Sequence, residues 1–507
     1  MSERFAWQKA PADAVPSSAV ARPALRGLLV ALPFLVLASY GLFDPHLLGY
    51  HHYRQAHDAL TARTFATTTL NLFQPAIDGV TWGKALYVNE FPLYPWLVGM
   101  AWRVTGESLL VARLISLAFG LTALFVFRRL MLRLTDDARR ADLAALVLGI
   151  MPVCAWFFRT VQRQSLFVLL LLVALERAVA WIDEDRKGAL RAAVAAFAGA
   201  VLLNPFAVYA VLPLADRLAR RRGRAALLRP GPLLAGVAAL LPATLWYAYV
   251  VRVAPTLATA ELVALTAPVA HRNFLDPGRY LIWLTPTALK NFLWTTVQFV
   301  LPAATSLVVA GVGVAGTWRD PAWRFLRLWL LAVLVYFFFD YYPIVDMVHQ
   351  YYYLNLAPPA AAFAVAGFAT LRARRKTLCV VAAVLFVVGS LAYTRRLVRS
   401  DWHAEYYPIV ERLEREVPRG SRVQVVATSD DPLLSYLVDP GIHHRLRAYT
   451  PESLESLLAV PDFDYLALVY DRGSAVPWPA LHRIRASGLE EVAMADGLHV
   501  FRVRRRA

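Results

Sequence analysis

The chain holds little cysteine and little charge. Its two cysteines, Cys154 and Cys379, both fall inside apolar runs, which argues against a disulfide framework or a zinc site. Charged residues make up 18% of the 507, against about a quarter in a soluble globular domain. No Gly-rich dinucleotide fingerprint is present. Residues 1–21 lack an apolar core, so no cleavable signal peptide is expected and the first span should act as an uncleaved anchor. No internal repeat is legible, which disfavours the repeated architecture of many transporters.

What fills the chain instead is apolar sequence, 58% of it. The blocks Leu143–Trp156, Leu166–Trp181, Leu233–Val251, Leu328–Phe339 and Val380–Ala392 are nearly uninterrupted. A soluble fold would alternate apolar with polar positions, so these blocks predict bilayer spans. About eleven crossings are expected at bilayer length, in an α-helical transmembrane domain over residues 27–395 that follows a cytoplasmic tail, 1–26. The net charge of +17 would suggest nucleic-acid binding in a soluble chain. Here the arginines sit in short loops between spans, and no nucleic-acid partner is expected.

Those arginines orient the chain by the positive-inside rule. Arg22 and Arg26 precede the first span, Gly27–Phe43. Later inner loops carry Arg128 to Arg140, Arg186 to Arg191, Arg217 to Arg224, Arg319 to Arg327, and Arg372 to Lys376. The stretch Arg191–Arg217 begins and ends inside, so it must cross twice, turning at Asn204-Pro205. The outer side then receives a large first loop, 44–107, short segments near Arg159–Arg163, Arg252–Lys290 and Asp340–Tyr352, and everything after Arg395. Polar, aromatic-rich loops gather on that one side, which suggests chemistry at the outer surface.

Residues 396–507 change character and read as a small α/β domain. Tyr406–Glu416 is an amphipathic helix, Arg422–Ala427, Tyr465–Tyr470 and His499–Val503 are strands, and Thr450-Pro451 opens a further helix. An accessory role is expected for this part.

Chemistry-bearing residues concentrate in the first loop: Asp44-Pro45-His46, then His51-His52-Tyr53-Arg54-Gln55-Ala56-His57-Asp58, then Asn89-Glu90-Phe91-Pro92-Leu93-Tyr94. Histidines and acids beside a membrane can do acid–base work on a substrate arriving from the lipid. Arginine suits phosphate, because its planar fork binds two oxygens. Taken alone, the loop is equally an ordinary solvated one; Asp58 has Arg54 or Arg63 as partners, and Glu90 a helix to cap. A second cluster, Asp346-Met347-Val348-His349-Gln350-Tyr351-Tyr352-Tyr353, combines a belt of tyrosines with a histidine on the same side. Arg159, Arg163, Gln164 and His271-Arg272 add to that face. Together they fit a lipid phosphate docked at the interface.

With these residues in view the chain resembles the GT-C-type glycosyltransferases, the polytopic class that includes protein mannosyltransferases and lipid A aminoarabinose transferases. The likeness is carried by His51–Phe65, by Glu90-Phe91-Pro92-Leu93-Tyr94, by Arg113-Leu114-Ile115-Ser116 and by His349–Tyr352. It points especially to bacterial members with H-x-x-R-Q-A after the first span. The resemblance implies transfer of a sugar from a polyprenyl-phosphate donor to an envelope lipid, glycan or protein on the non-cytoplasmic face. It also implies an acidic residue in the first loop that activates the acceptor hydroxyl or helps hold the site. Matching Arg54 to the family's arginine puts His51 at the usual aspartate position. Glu90 matches the glutamate of E-x-P-L-Y, and Gln164 replaces a second acid. The catalytic candidates are therefore Glu90, His51 and Asp58. Arg54, Gln55, His349, Tyr351, Tyr352, Arg163 and His271 are candidates for binding substrate. With two acids replaced, no metal ligands are assigned, although His51, Glu90 and His271 keep a divalent metal possible. An envelope polysaccharide ligase or polymerase is the near alternative, and a transporter the distant one. Arginine far outnumbers lysine and alanine is abundant, which weakly favours a bacterial inner membrane, with the C-terminal domain periplasmic.

Overall fold

In the computed structural model, the residues described are 18–47, 49, 51–77, 79, 85–86, 90–253, 278–339, 349–400, 404–428, 432–470 and 478–503. The chain is mostly helix. α1 (Ser18–Ser39) leads into the first loop, which contains α2 (His52–Thr67), the two-residue strands β1 (Ala76–Ile77) and β2 (Ala85–Leu86), and α3 (Leu93–Thr105). Then come α4 (Leu109–Thr135), α5 (Ala138–Ile150), α6 (Pro152–Phe157), α7 (Gln164–Glu184), α8 (Lys187–Leu203), α9 (Val211–Arg222) and α10 (Pro230–Val253). α11 (Pro286–Thr295), α12 (Ala304–Gly316), α13 (Arg324–Phe339), α14 (Ala357–Arg374) and α15 (Lys376–Val398) complete the membrane part.

Among the described residues, five helical stretches are long and apolar enough to cross a membrane: 109–135, 164–184, 230–253, 321–339 and 376–398. The stretch 286–300 turns by 93° into 304–316 and makes a sixth if the bent pair is one span. Two other apolar runs are cut short, one by a proline and one by an asparagine. Leu143–Trp156 is not one helix, because Pro152 begins a new one after the extended Met151, where its missing N–H costs nothing. Asn204 ends α8 in extended backbone, and its side chain accepts the Phe206 N–H at 3.1 Å. The expected break is there, but neither α8 nor α9 is among the described stretches long enough to cross a membrane.

α14 is buried over its first eleven residues and lies at the centre of the bundle. It crosses α12 at a pair of glycines. A Cβ on Gly367 would overlap the Val309 carbonyl oxygen, and one on Gly313 would overlap that of Phe363. Small residues at such crossings let two backbones touch. Gly367→Val meets rigid backbone there and is expected to destabilise the protein by about 3 kcal/mol, the upper end of the usual cost of overpacking. Thermal unfolding in detergent should show the fall in midpoint.

The C-terminal part carries α16 (Tyr406–Glu416), β3 (Arg422–Ala427), α17 (Pro432–Leu437), β4 (His443–Ala448), α18 (Pro451–Ala459), β5 (Tyr465–Val469), α19 (Trp478–Ala486), β6 (Glu490–Ala495) and β7 (Leu498–Arg502). Its five strands run in the order β4-β3-β5-β7-β6, with β3 parallel to β4 and β5, and β7 antiparallel to β5 and β6. The three expected strands are the inner ones. β4 and β6 were not expected: both are sheet edges, and their polar side chains (His443, Arg445 and Arg447; Glu490 and Glu491) mask the apolar pattern.

This part grips the first loop. The Leu446 N–H donates to the Gly79 carbonyl at 2.7 Å, which adds the loop backbone to the β4 edge. Arg63 of α2 lies 4.5 Å from the Tyr436 ring centre, donates to the Tyr436 carbonyl at 3.0 Å and pairs with Glu107 at 2.8 Å. The Leu47 N–H donates to the Tyr407 hydroxyl at 2.6 Å.

Candidate functional site

α2 begins at an unusual residue. His51 takes a left-handed conformation, φ 62° and ψ 32°, which a non-glycine residue adopts only when its surroundings hold it there. That turn leaves the ring buried against Phe157, 4.9 Å from Tyr351 and 5.9 Å from His349 between ring centres. Its Nε2 lies 2.9 Å from the Gln350 amide oxygen. An amide oxygen only accepts, so Nε2 carries the proton and Nδ1 keeps its lone pair. Burial, His349 and Arg54 hold the ring well below the usual 6.5 of histidine, and it stays neutral.

One and two turns on, Arg54 and Asp58 share the His51 face of the helix, at the i+3 and i+4 spacing that brings side chains together. Glu90 accepts from Arg54 in a short ion pair, and its second oxygen lies 3.0 Å from Arg163 Nη1 in a second ion pair. Arg163 precedes α7, and its other Nη lies 3.4 Å from an Asp58 oxygen; its backbone N–H donates to the second at 3.3 Å. The charges therefore alternate along Arg54–Glu90–Arg163–Asp58. Burial opposes ionisation of Glu90, but the two guanidinium groups outweigh it and hold the acid at about 2. Asp58 goes the other way: burial raises it above the usual carboxylate range, against the pull of Arg163 and Arg54.

The remaining candidates fall around this chain. Gln55 accepts the Val161 N–H at 3.3 Å and so steadies the turn before Arg163. Tyr351 and Tyr352 stack 4.5 Å apart, and the His349 ring is 5.7 Å from Tyr351. His271 lies outside the described residues, as do Arg272 and Asp346–Val348. Asp58 turns to Arg163, while Arg63 pairs with Glu107. Two residues were missed. Gln350 orients His51, and the fully buried Gln162 donates to the His51 carbonyl at 3.3 Å. The only signal for Gln350 was its place between His349 and Tyr351.

Of the stretch Arg113–Ser116, both polar ends are structural. Arg113 donates to the carbonyls of Leu42 at 3.1 Å, His46 at 2.6 Å and Asp44, pinning the start of the first loop. Ser116 bonds the Tyr94 hydroxyl at 2.8 Å. Among the described residues, no three side chains of His, Cys, Asp or Glu converge. Glu90 is committed to two guanidinium groups, which makes it a poor ligand for a divalent cation.

Residues 89–249 match a sequence family described as dolichyl-phosphate-mannose-protein mannosyltransferase. No curated protein matches the chain by sequence. Its fold is similar to that of ArnT from Cupriavidus metallidurans, solved bound to undecaprenyl phosphate, with a TM-score of 0.61 and 15% identity over 95% of this chain and 98% of that one. It is also similar to the oligosaccharyltransferase of Archaeoglobus fulgidus (TM-score 0.55, 11% identity, 88% of this chain and 69% of that one). A third likeness is to the mycobacterial arabinofuranosyltransferase AftD (TM-score 0.52, 14% identity, 94% of this chain and 41% of that one). The family match covers about a third of the chain, and the structural likenesses, at 11–15% identity, show that the chain shares the fold of these membrane proteins along nearly its whole length.

Proposed function

We propose that the protein transfers a sugar from a polyprenyl-phosphate donor to an envelope acceptor, on the periplasmic face of a bacterial inner membrane. The observation that carries this reading is a buried neutral histidine, whose Nδ1 makes no hydrogen bond to a described residue, next to two arginines that share one carboxylate. It is supported by the relatives of known fold, two of which were solved with undecaprenyl phosphate or dolichol phosphate bound.

In this reading His51 Nδ1 accepts the proton of the acceptor hydroxyl. The freed oxygen bonds to the anomeric carbon as the bond from that carbon to the phosphate oxygen breaks, and the polyprenyl phosphate leaves with the electron pair. Two guanidinium charges face one ionised Glu90. The closer Asp58 is to neutral, the closer this cluster comes to one net positive charge. Such a fixed charge favours the phosphate as negative charge builds on it. Tyr351, Tyr352 and His349 form a wall on which the sugar or the polyprenyl start can rest. Asp58 acts by holding Arg163, and the acceptor class is an envelope lipid, glycan or protein.

Mass spectrometry of envelope lipids and glycans tests this, comparing a deletion strain with one restored by the wild-type gene. Loss of one sugar mass from a single acceptor, with its polyprenyl-phosphate donor accumulating, is the expected result and names the substrate. An unchanged envelope profile would remove the reading.

A further inference from the structure

The site above leaves one buried arginine unused. Arg159 stands in the turn between α6 and α7 and is 3% exposed, yet its guanidinium makes no hydrogen bond or ion pair with any described residue. It lies 4.4 Å from the ring centre of Trp156, whose own Nε1 is buried without a partner among the described residues. Arg113 sits behind it and is spent on the three carbonyls of the first loop. Asp44, whose charge favours the Arg159 cation, takes the His46 N–H at 2.9 Å and makes no ion pair with Arg159. Burial and the Arg113 charge both work against the Arg159 cation. An unpaired buried guanidinium beside an orphaned indole N–H is unfavourable unless an anion completes it.

The surroundings indicate which anion. A Cβ on Gly41 would lie 3.5 Å from both Arg159 Nη atoms and 2.8 Å from the Val398 side chain, so the missing side chain leaves the guanidinium a cradle. That cradle sits where the end of α15 meets the turn after α1. Both helices expose apolar side chains along their length, Leu29, Leu32 and Val36 on one and Val380, Val384 and Val388 on the other. At the same end α15 carries the exposed Arg395 and Arg396. An acyl chain laid on this surface brings its headgroup to the cradle. Arginine with an indole N–H matches phosphate oxygens. We propose that Arg159 and Trp156 form a binding site for the phosphodiester headgroup of an anionic bilayer lipid, separate from the Arg54–Glu90–Arg163 cluster.

The full-length protein in phosphatidylcholine nanodiscs provides the test, with phosphatidylglycerol or undecaprenyl phosphate added in separate arms. Native mass spectrometry reads retained lipid, and thermal unfolding reads stabilisation. The wild type should retain phosphatidylglycerol and unfold at a higher temperature with it. Arg159→Gln should weaken retention about tenfold, as expected for loss of a charge-assisted hydrogen bond. Trp156→Phe, which keeps the ring and removes only the N–H, should weaken it less. Arg419→Gln, exposed in the C-terminal part and paired with Asp439, should match the wild type in retention. If Arg159→Gln fails to insert, Trp156→Phe decides alone. Equal retention by wild type and both site variants would overturn the proposal. So would stabilisation by undecaprenyl phosphate without any by phosphatidylglycerol, which would assign Arg159 to the donor.

Discussion

Glu90→Gln should lower turnover about a thousandfold while the protein still inserts and extracts as the wild type does. The carboxylate takes both Arg54 and Arg163, and all three side chains are largely buried. A carboxamide has the same shape but no charge, so two guanidinium groups would face each other across a neutral group. Removing one partner of a buried ion pair costs roughly 3–5 kcal/mol, and about 4 kcal/mol at the barrier is a factor of about a thousand. A transfer assay with labelled polyprenyl-phosphate sugar checks this, and the loss should fall on kcat more than on KM. Adding Arg163→Gln to Glu90→Gln should recover part of the loss, since it removes one of the unbalanced charges. A Glu90→Gln enzyme within tenfold of the wild type would show that the cluster is structural only. The pH dependence has a definite sign. Glu90 is held at about 2 against an ordinary 4.5. Its pairing therefore contributes stability that is complete above pH 4.5 and lost as pH falls from there through about 2. It contributes no change of ionisation near neutrality.

His51→Asn should cost between about a hundredfold and ten-thousandfold in kcat, the usual range for a lost general base. Asparagine tolerates the left-handed conformation at residue 51 and can still donate to Gln350, but it cannot accept a proton. The thermal midpoint should therefore barely move while activity collapses, which separates a base from a turn residue. Retained activity in His51→Asn would move the base elsewhere, with Asp58 next in line. The native ring resists protonation well below 6.5. As pH falls through 6.5 the unfolded chain takes up a proton that the folded one refuses, so this histidine makes the protein less stable on the acid side. Gln350→Leu removes the acceptor that fixes the tautomer. It should shift the pH profile of kcat as well as lower it, whereas a packing defect would leave the profile in place.

The parts of the fold legible in sequence were those set by local pattern. The long apolar helices α7, α10 and α15 could be read from uninterrupted runs, and α16 from its periodicity. Leu143–Trp156 was misleading because average hydropathy does not register that one proline, Pro152, divides the run. β4 and β6 escaped because edge strands carry polar residues on purpose. In the site, His51, Arg54 and Asp58 were legible because they crowd one short stretch of the first loop and because His51 and Arg54 match the H-x-x-R-Q-A pattern; that this stretch is a helix placing them on one face was not. That Arg163 joins both acids was not either, since residue 163 reaches residue 58 only through the packing of α7 against the first loop. Gln350 had no pattern of its own, and its role follows from a ring that arrives from residue 51.

The clasp between Arg63 and Tyr436 joins residues 373 positions apart. α2 leaves the ribosome early, but Tyr436, which holds it, and the β4 edge, which holds Gly79 further along the first loop, are made much later. The membrane helices can pack before then, while the helix that carries His51, Arg54 and Asp58 still lacks its outer wall. Contacts of such separation form late. The chain is thus built to finish its site last, and a nascent or C-terminally truncated copy would reach the membrane without a settled first loop.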